Sequence, residues 1–153
     1  MKKNVELMEN IFYQDGSFRD IYIKDIQMSD WQLVLDFLKS LYHKIKFFKD
    51  GNEFDYLDFC AEEIFNLKND FSIVMKIYFD SMSINCHFFD STEIEFDIDP
   101  HEITNADSIE IIFSLIINLS KITQKRVVLT PENLSESPLV VCEPSEFIIK
   151  VIE

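Results

Sequence analysis

The fold of this chain is decided by one stretch, residues 71–99, which reads FSIVMKIYFDSMSINCHFFDSTEIEFDID. The stretch holds three runs that are rich in β-branched and aromatic residues, at 71–79, 82–89 and 92–99. Such residues favour strands, and the Asp-Ser pairs between the runs suit tight turns. Residues 71–99 therefore predict an antiparallel meander of three strands.

The last of these runs alternates strictly between apolar and acidic side chains. Ile94, Phe96 and Ile98 are expected to face the core, because successive strand residues point to opposite faces. A row of carboxylates about 7 Å apart then lines the other face, at Glu93, Glu95, Asp97 and Asp99. Like charges in a row repel one another. The row is either a solvated face that prevents edge aggregation or a surface that matches a basic groove on a partner.

Upstream of the meander, the sequence predicts a hairpin and two helices. Asp15-Gly16 lies between apolar runs at 11–13 and 18–24, a pattern typical of a β-hairpin. A first helix is expected from Ser29, whose side chain can cap it, to about residue 45, because apolar residues recur at helical spacing. A second, shorter helix is the favoured interpretation of 55–67.

Downstream, residues 105–122 predict the most buried helix, because they are apolar around most of the helical circumference. Short strands are expected at 126–129 and 147–152, with a loop over 130–144. The prediction is a single α+β domain over 1–153. Its mostly antiparallel sheet (N-terminal hairpin, central three-strand meander, C-terminal strands) packs with two main helices and one short helix.

The charge of the chain is concentrated in its middle third. The net charge is −14, and residues 51–110 hold fifteen Asp and Glu against only Lys68 and Lys76. A field of one sign attracts a basic partner and repels nucleic acid and anionic membranes. We therefore expect a positively charged protein partner, without direct binding to nucleic acid or membrane.

The compartment is predicted from the cysteines and from the apolar runs. Cys60, Cys86 and Cys142 are widely spaced, which is typical of reduced thiols in a cytoplasmic protein. The first residues lack the apolar run of a secretory signal. The longest apolar stretch, 109–119, is too short and too polar to cross a bilayer. These features predict a soluble cytoplasmic protein.

No motif in the sequence predicts catalysis or a cofactor. The nucleophile, zinc-protease and nucleotide-loop patterns are all missing. A group of possible metal ligands lies close in sequence, at His87, Asp90, Asp97, Asp99 and His101. Their spacing matches neither a zinc site nor a calcium loop. We expect no metal and no cofactor, with a small metal-dependent hydrolase as the weakest alternative.

The candidate binding residues are the acids of the predicted second helix and of the last meander strand with its flanks. They are Asp55, Asp58, Glu62, Glu63, Asp90, Glu93, Glu95, Asp97, Asp99 and Glu102. Each of these acidic residues is also compatible with an ordinary solvent-exposed surface. Their concentration, with only Lys68 and Lys76 between them, favours one acidic surface that binds a basic partner.

The opening segment 11–38, IFYQDGSFRDIYIKDIQMSDWQLVLDFL, resembles a known group of proteins. It looks like the start of immunity proteins of bacterial contact-dependent growth inhibition and related polymorphic toxin systems, in which a "DGS.RDIYI" hairpin leads into a "DW" helix. The segment VLTPEN at 128–133 is also similar to that class. The likeness covers about a quarter of the chain and concerns the fold.

The resemblance implies a non-enzymatic protein that binds the C-terminal toxin domain of its own cell's effector. The toxin is often a basic nuclease, and we expect a 1:1 complex. The resemblance implies no contact residue, so the ten acids above rest on charge alone. The alternative of another class is an acidic nucleic-acid mimic that inhibits a DNA-binding protein.

Overall fold

The computed structural model describes the backbone of residues 2–41 and 44–152, with side chains from Glu6 onward. The strands are β1 Arg19–Ile23, β2 Ile45–Lys49, β3 Asn52–Phe54, β4 Ile73–Tyr78, β5 Ser83–Asp90, β6 Glu93–Ile98, β7 Val127–Pro131, β8 Val140–Cys142 and β9 Ile149–Val151. The helices are α1 Lys2–Asn10, α2 Met28–Leu41, α3 Ala61–Leu67, α4 Ala106–Thr123 and a 3₁₀ helix at Pro100–Glu102.

All nine strands form one antiparallel sheet in the order β3-β2-β4-β5-β6-β1-β7-β8-β9. This confirms the predicted α+β class with a mostly antiparallel sheet. The central meander β4-β5-β6 is confirmed as well, and its buried and half-buried residues alternate as the sequence pattern requires.

The α-helices pack on one face of the sheet, which we call the helical face. Trp31 of α2 stacks on Phe88 of β5 with 5.0 Å between ring centroids, and Phe65 of α3 meets the same ring edge-on at 5.9 Å. Helix α4 packs on β7, β8 and α2. Phe12, just after α1, packs near Phe113 of α4, with 6.3 Å between ring centroids. One apolar core therefore lies between the helices and the sheet.

The predicted N-terminal hairpin is wrong, because both edges of β1 are already paired with β6 and β7. Residues 11–13 follow α1 and belong to no strand. The carbonyl oxygens of Ile11 and Tyr13 accept hydrogen bonds from the guanidinium group of Arg19, at 2.7 and 2.5 Å. The Asp15-Gly16 turn is therefore the bend of a loop that a buried arginine closes.

The first predicted helix is shorter at its C-terminal end, because Ile45 begins a strand rather than a further helical turn. Strands β2 and β3 form a tight hairpin around Asp50-Gly51, whose φ angles are +50° and +82°. Two consecutive positive φ angles are what a two-residue hairpin turn of type I′ requires. Ser29 lies inside α2 rather than at its cap, and Asp30 accepts the N–H of Gln27 at 2.9 Å.

Two further boundaries differ from the prediction, and one helix agrees with it. Helix α3 begins at Ala61, so 55–60 form a loop, and β8 lies within the predicted loop 130–144. Helix α4 matches its prediction closely. Asn105 caps it by accepting the N–H of Ser108 at 2.9 Å, and Ser108 completes a capping box.

Candidate functional site

The sheet face opposite the helices, which we call the open face, carries no helix within 2–41 and 44–152. The loop after β7 lies over part of it, where the N–H of Asn133 donates to Asp20 Oδ2 at 2.9 Å. The centre of this face is formed by β5, β6 and β1. Its side chains are Asn85, His87, Phe89, Glu93, Glu95, Asp97, Asp20 and Tyr22.

Strand register places two carboxylates directly opposite each other at this centre. Asp97 of β6 is the cross-strand partner of Asp20 in β1, and Glu95 is the partner of Tyr22. Asp20 was missed by the sequence analysis because it lies far upstream and β1 was assigned to a local hairpin. No lysine or arginine of β5, β6 or β1 lies on the open face, since Arg19 points to the helical side.

Two adjacent sets of hydrogen bonds, which together we call the network, hold the carboxylates of Asp97 and Asp20. Asp97 accepts the side-chain amide of Asn85 at 2.7 Å and contacts the ring nitrogen Nε2 of His87. The hydroxyl group of Tyr22 donates to Asp20 Oδ2 at 3.0 Å. The side chains of His87 and Asp97 are only 18% and 14% exposed. The network is therefore half-buried and held in a fixed arrangement before any partner arrives.

The environment raises the pKa of four groups at this centre. Burial raises the pKa values of Asp20, Glu95 and Tyr22, because the charged forms lose hydration. Burial opposes protonation of His87, but the hydrogen bond and negative charge of Asp97 outweigh it and raise the pKa of His87. The folded protein thus favours protonation of this face more than the unfolded chain does.

These shifts predict that the protein gains stability as the pH falls through the neutral range. A raised folded-state pKa contributes stability that is fully present below the unfolded-state pKa and is lost as the pH rises through the folded-state pKa. The stability that His87 contributes is lost as the pH rises above 6.5, the ordinary pKa of histidine. The stability that Glu95 contributes is lost as the pH rises above 4.5, the ordinary pKa of glutamate. Urea unfolding between about pH 8 and about pH 5.5 measures the effect.

The variant His87→Gln serves as the control for this pH dependence. It removes the imidazole and should flatten the part of the curve between pH 6.5 and the raised pKa. Loss of stability on acidification of the native protein over this range would contradict the prediction.

Phe89 is an exposed aromatic residue beside the acidic network. Its ring is 61% exposed and lies parallel to the ring of His87, with 4.8 Å between centroids and an interplanar angle of 4°. Alternation along β5 places Phe89 on the open face with Asn85 and His87. The β5–β6 register shifts between His87 and Asp90, close to this side chain.

The structure separates the ten predicted acids into groups. Glu93, Glu95 and Asp97 lie together on the open face, and Asp90 lies at the turn that leads into β6. The other acidic group lies beside helix α3, which packs against α2 on the helical face. That group consists of Asp55, Asp58, Glu62 and Glu63, all of them exposed. The two groups therefore do not form one continuous surface.

Asp99 and Glu102 have local structural partners. Asp99 caps the 3₁₀ helix by accepting the N–H of His101 at 2.9 Å. Glu102 accepts the N–H of Ser83 at 2.7 Å, at the start of β5. Both carboxylates add to the negative field, but their hydrogen bonds account for their positions.

Basic residues border the acidic centre on both sides. Lys46 of β2 and Lys76 of β4 are cross-strand partners on the open face, in the same row as Asn85 and Asp97. On the other side, Lys24 directly follows β1, lies near Glu93 and forms an ion pair with Glu136, and Arg126 forms an ion pair with Glu143. The negative part of the face is thus confined to β5, β6 and β1.

The geometry bears on two of the alternative chemistries, metal binding and thiol catalysis. Within the part of the chain that the structure describes, no three His, Cys, Asp or Glu side chains are placed to hold a metal ion. Cys86 is buried, and burial raises the pKa of its thiol well above the ordinary value. A thiol with a raised pKa is a poor nucleophile. Among the described helices, none is long and apolar enough to cross a membrane.

Comparison of the chain with protein-family models, with curated proteins and with solved structures gives no match.

Proposed function

We propose that this chain is a non-enzymatic immunity protein of the cytoplasm that binds a basic toxin domain through the acidic centre of its open face. The observation that carries the proposal is the pair Asp20 and Asp97, two carboxylates held opposite each other on a sheet face without a helical cover. The resemblance of segment 11–38 to immunity proteins supports the same assignment.

The acidic centre is costly for the free protein. Like charges directly opposite each other in a sheet destabilise it, and half-buried carboxylates lose hydration. A stable core does not need such an arrangement on its outer face. His87 and Tyr22 offset part of this cost within the free protein, and cationic side chains of a partner would relieve the remaining repulsion.

The proposed mechanism is occlusion. Carboxylates of β6 and β1 occupy the groove in which the toxin, for which a nuclease is the favoured class, binds the phosphates of its substrate. The long-range field raises the association rate toward roughly 10⁸–10⁹ M⁻¹s⁻¹ at low salt. The helical-face acids Asp55, Asp58, Glu62 and Glu63 contribute to this field but make no contact in the complex.

Co-expression with the toxin domain encoded beside the gene of this chain tests the proposal. We expect the cells to survive and the two proteins to purify as a 1:1 complex. Toxin expressed without this chain is the control. Death of the cells in both cases, with no complex, would contradict the immunity assignment. Isolation of several DNA-binding proteins in place of the toxin would favour the nucleic-acid mimic.

A further inference from the structure

Among the described aromatic side chains, Phe89 is the most exposed. The side chain is 61% exposed, whereas its neighbour Phe88 is buried in the core. One side of its ring is covered by the parallel ring of His87, 4.8 Å away between centroids. The stack holds the ring in place, because His87 is itself fixed by Asp97. The other side of the ring is left toward solvent, on a sheet face that no described helix covers.

The strand register places carboxylates on both flanks of this ring. His87 is the cross-strand partner of Glu95, and Asp90 is the partner of Glu93. Phe89 lies between His87 and Asp90 in the chain and on the same face, so it is bracketed by Glu93 and Glu95 of the neighbouring strand. A flat aromatic surface between two carboxylates is complementary to a flat cation.

We propose that Phe89 is the stacking position for an arginine side chain of the basic partner, an inference that rests on the proposed function. The guanidinium group lies against the free side of the Phe89 ring, and its N–H groups donate to the carboxylates of Glu93 and Glu95. Phe89 is thereby the anchor that the acidic rim surrounds in the complex.

Other occupants fit this position less well. A lysine ammonium group is a compact, strongly hydrated charge and does not stack on a ring as a guanidinium group does. A nucleobase would stack, but its phosphates would meet the negative field of β6 and β1. An apolar side chain would remove water from Glu93 and Glu95 without giving them a partner.

A titration followed by NMR tests this assignment with a defined probe. Nα-acetyl-arginine methylamide is added to the labelled full chain, and the corresponding lysine compound is added at matched ionic strength. We expect the arginine compound to shift the ring resonances of Phe89 and His87 and to bind about two- to fivefold more tightly than the lysine compound. The variant Phe89→Leu changes an exposed position and keeps the core intact. We expect it to bind the arginine and lysine compounds equally.

Three outcomes would overturn the assignment. Equal effects of the arginine and lysine compounds would indicate simple charge attraction. Unchanged arginine binding in Phe89→Leu would place the contact elsewhere. Ring shifts with a short single-stranded oligonucleotide, and none with the arginine compound, would identify Phe89 as a base-stacking residue.

The result is separable from that of co-expression with the toxin. Rescue of the cells without an arginine effect at Phe89 leaves the immunity function standing and removes the anchor. Arginine binding without rescue keeps the stacking position and removes the toxin as its partner. In a rescued complex, Phe89→Ala should weaken binding roughly tenfold or more. Leu57→Ala, at a 79% exposed residue before α3, should have little effect.

Discussion

Replacing Arg19 by methionine is expected to lower the free energy of unfolding by about 3–5 kcal/mol. The side chain is fully buried although it carries a charge that cannot be removed at physiological pH. Methionine keeps most of the apolar stem, so the loss reports the guanidinium group rather than a large cavity.

The expected size of the effect follows from the partners of the guanidinium group. It donates to the carbonyl oxygens of Ile11, Tyr13 and Phe18 at 2.5 to 2.9 Å and to the hydroxyl oxygen of Ser17 at 3.0 Å. Without it, these carbonyls lose their donor, and each buried polar group without a partner costs about 1–3 kcal/mol. Water reaches part of the loop in the variant, so we expect each carbonyl to cost an amount near the lower end of this range.

The chain supplies its own control, because Arg126 is the only other arginine in the sequence. Arg126 is 61% exposed and pairs with Glu143 near the surface, so Arg126→Met should cost less than about 1 kcal/mol. Urea unfolding of both variants measures the difference. Equal stability of the two variants would show that Arg19 does not hold the loop.

This role of Arg19 changes the meaning of the "DGS.RDIYI" segment. The carboxylate of Asp15 accepts a hydrogen bond from the N–H of Ser17 at 3.0 Å. The hydroxyl oxygen of Ser17 in turn accepts a hydrogen bond from the guanidinium group of Arg19. Gly16 adopts a φ of +86°, a conformation that suits glycine. These four residues build a loop that joins α1 to β1. The segment is therefore a folding element, and Asp20 and Tyr22 are the residues in it that reach the open face.

The sequence predicted elements whose signals are local. The meander follows from alternation within 71–99, and α4 follows from its cap at Asn105 and its apolar circumference. The hairpin at 11–24 failed because a side chain, Arg19, satisfies carbonyls that the pattern assigned to a strand. The β2–β3 hairpin was missed because the helical spacing of apolar residues in α2 continues by chance to Ile45.

The candidate site was predicted in part for the same reason. Alternation in β6 is a local signal, and it placed Glu93, Glu95 and Asp97 on one face as the structure has them. The contribution of Asp20 depends on the pairing of β1 with β6, which no local pattern encodes. The side of the sheet on which Phe89 lies follows from alternation in β5, but its stacking on His87 is visible only in the structure. Charge alone could not show that α3 packs on the opposite side of the sheet.

Neutralising the acidic row is expected to slow association with the toxin domain by about tenfold to a hundredfold at low salt. The variant carries Glu93→Gln, Glu95→Gln, Asp97→Asn and Asp99→Asn. Its association rate should also depend less on salt, because exposed charges are screened within about 10 Å at 0.1 M ionic strength. Stopped-flow association at several salt concentrations measures both effects.

The helical-face acids provide a control with the same change in charge. Asp55→Asn, Asp58→Asn, Glu62→Gln and Glu63→Gln also remove four negative charges, but from side chains on the other side of the sheet. If net charge alone steers association, the two variants slow it equally. If the open face is the interface, the β6 variant slows association far more and also shortens the lifetime of the complex, because it removes contacts as well as field. Equal rates and equal lifetimes in the two variants would exclude the open face as the interface, whatever the identity of the partner.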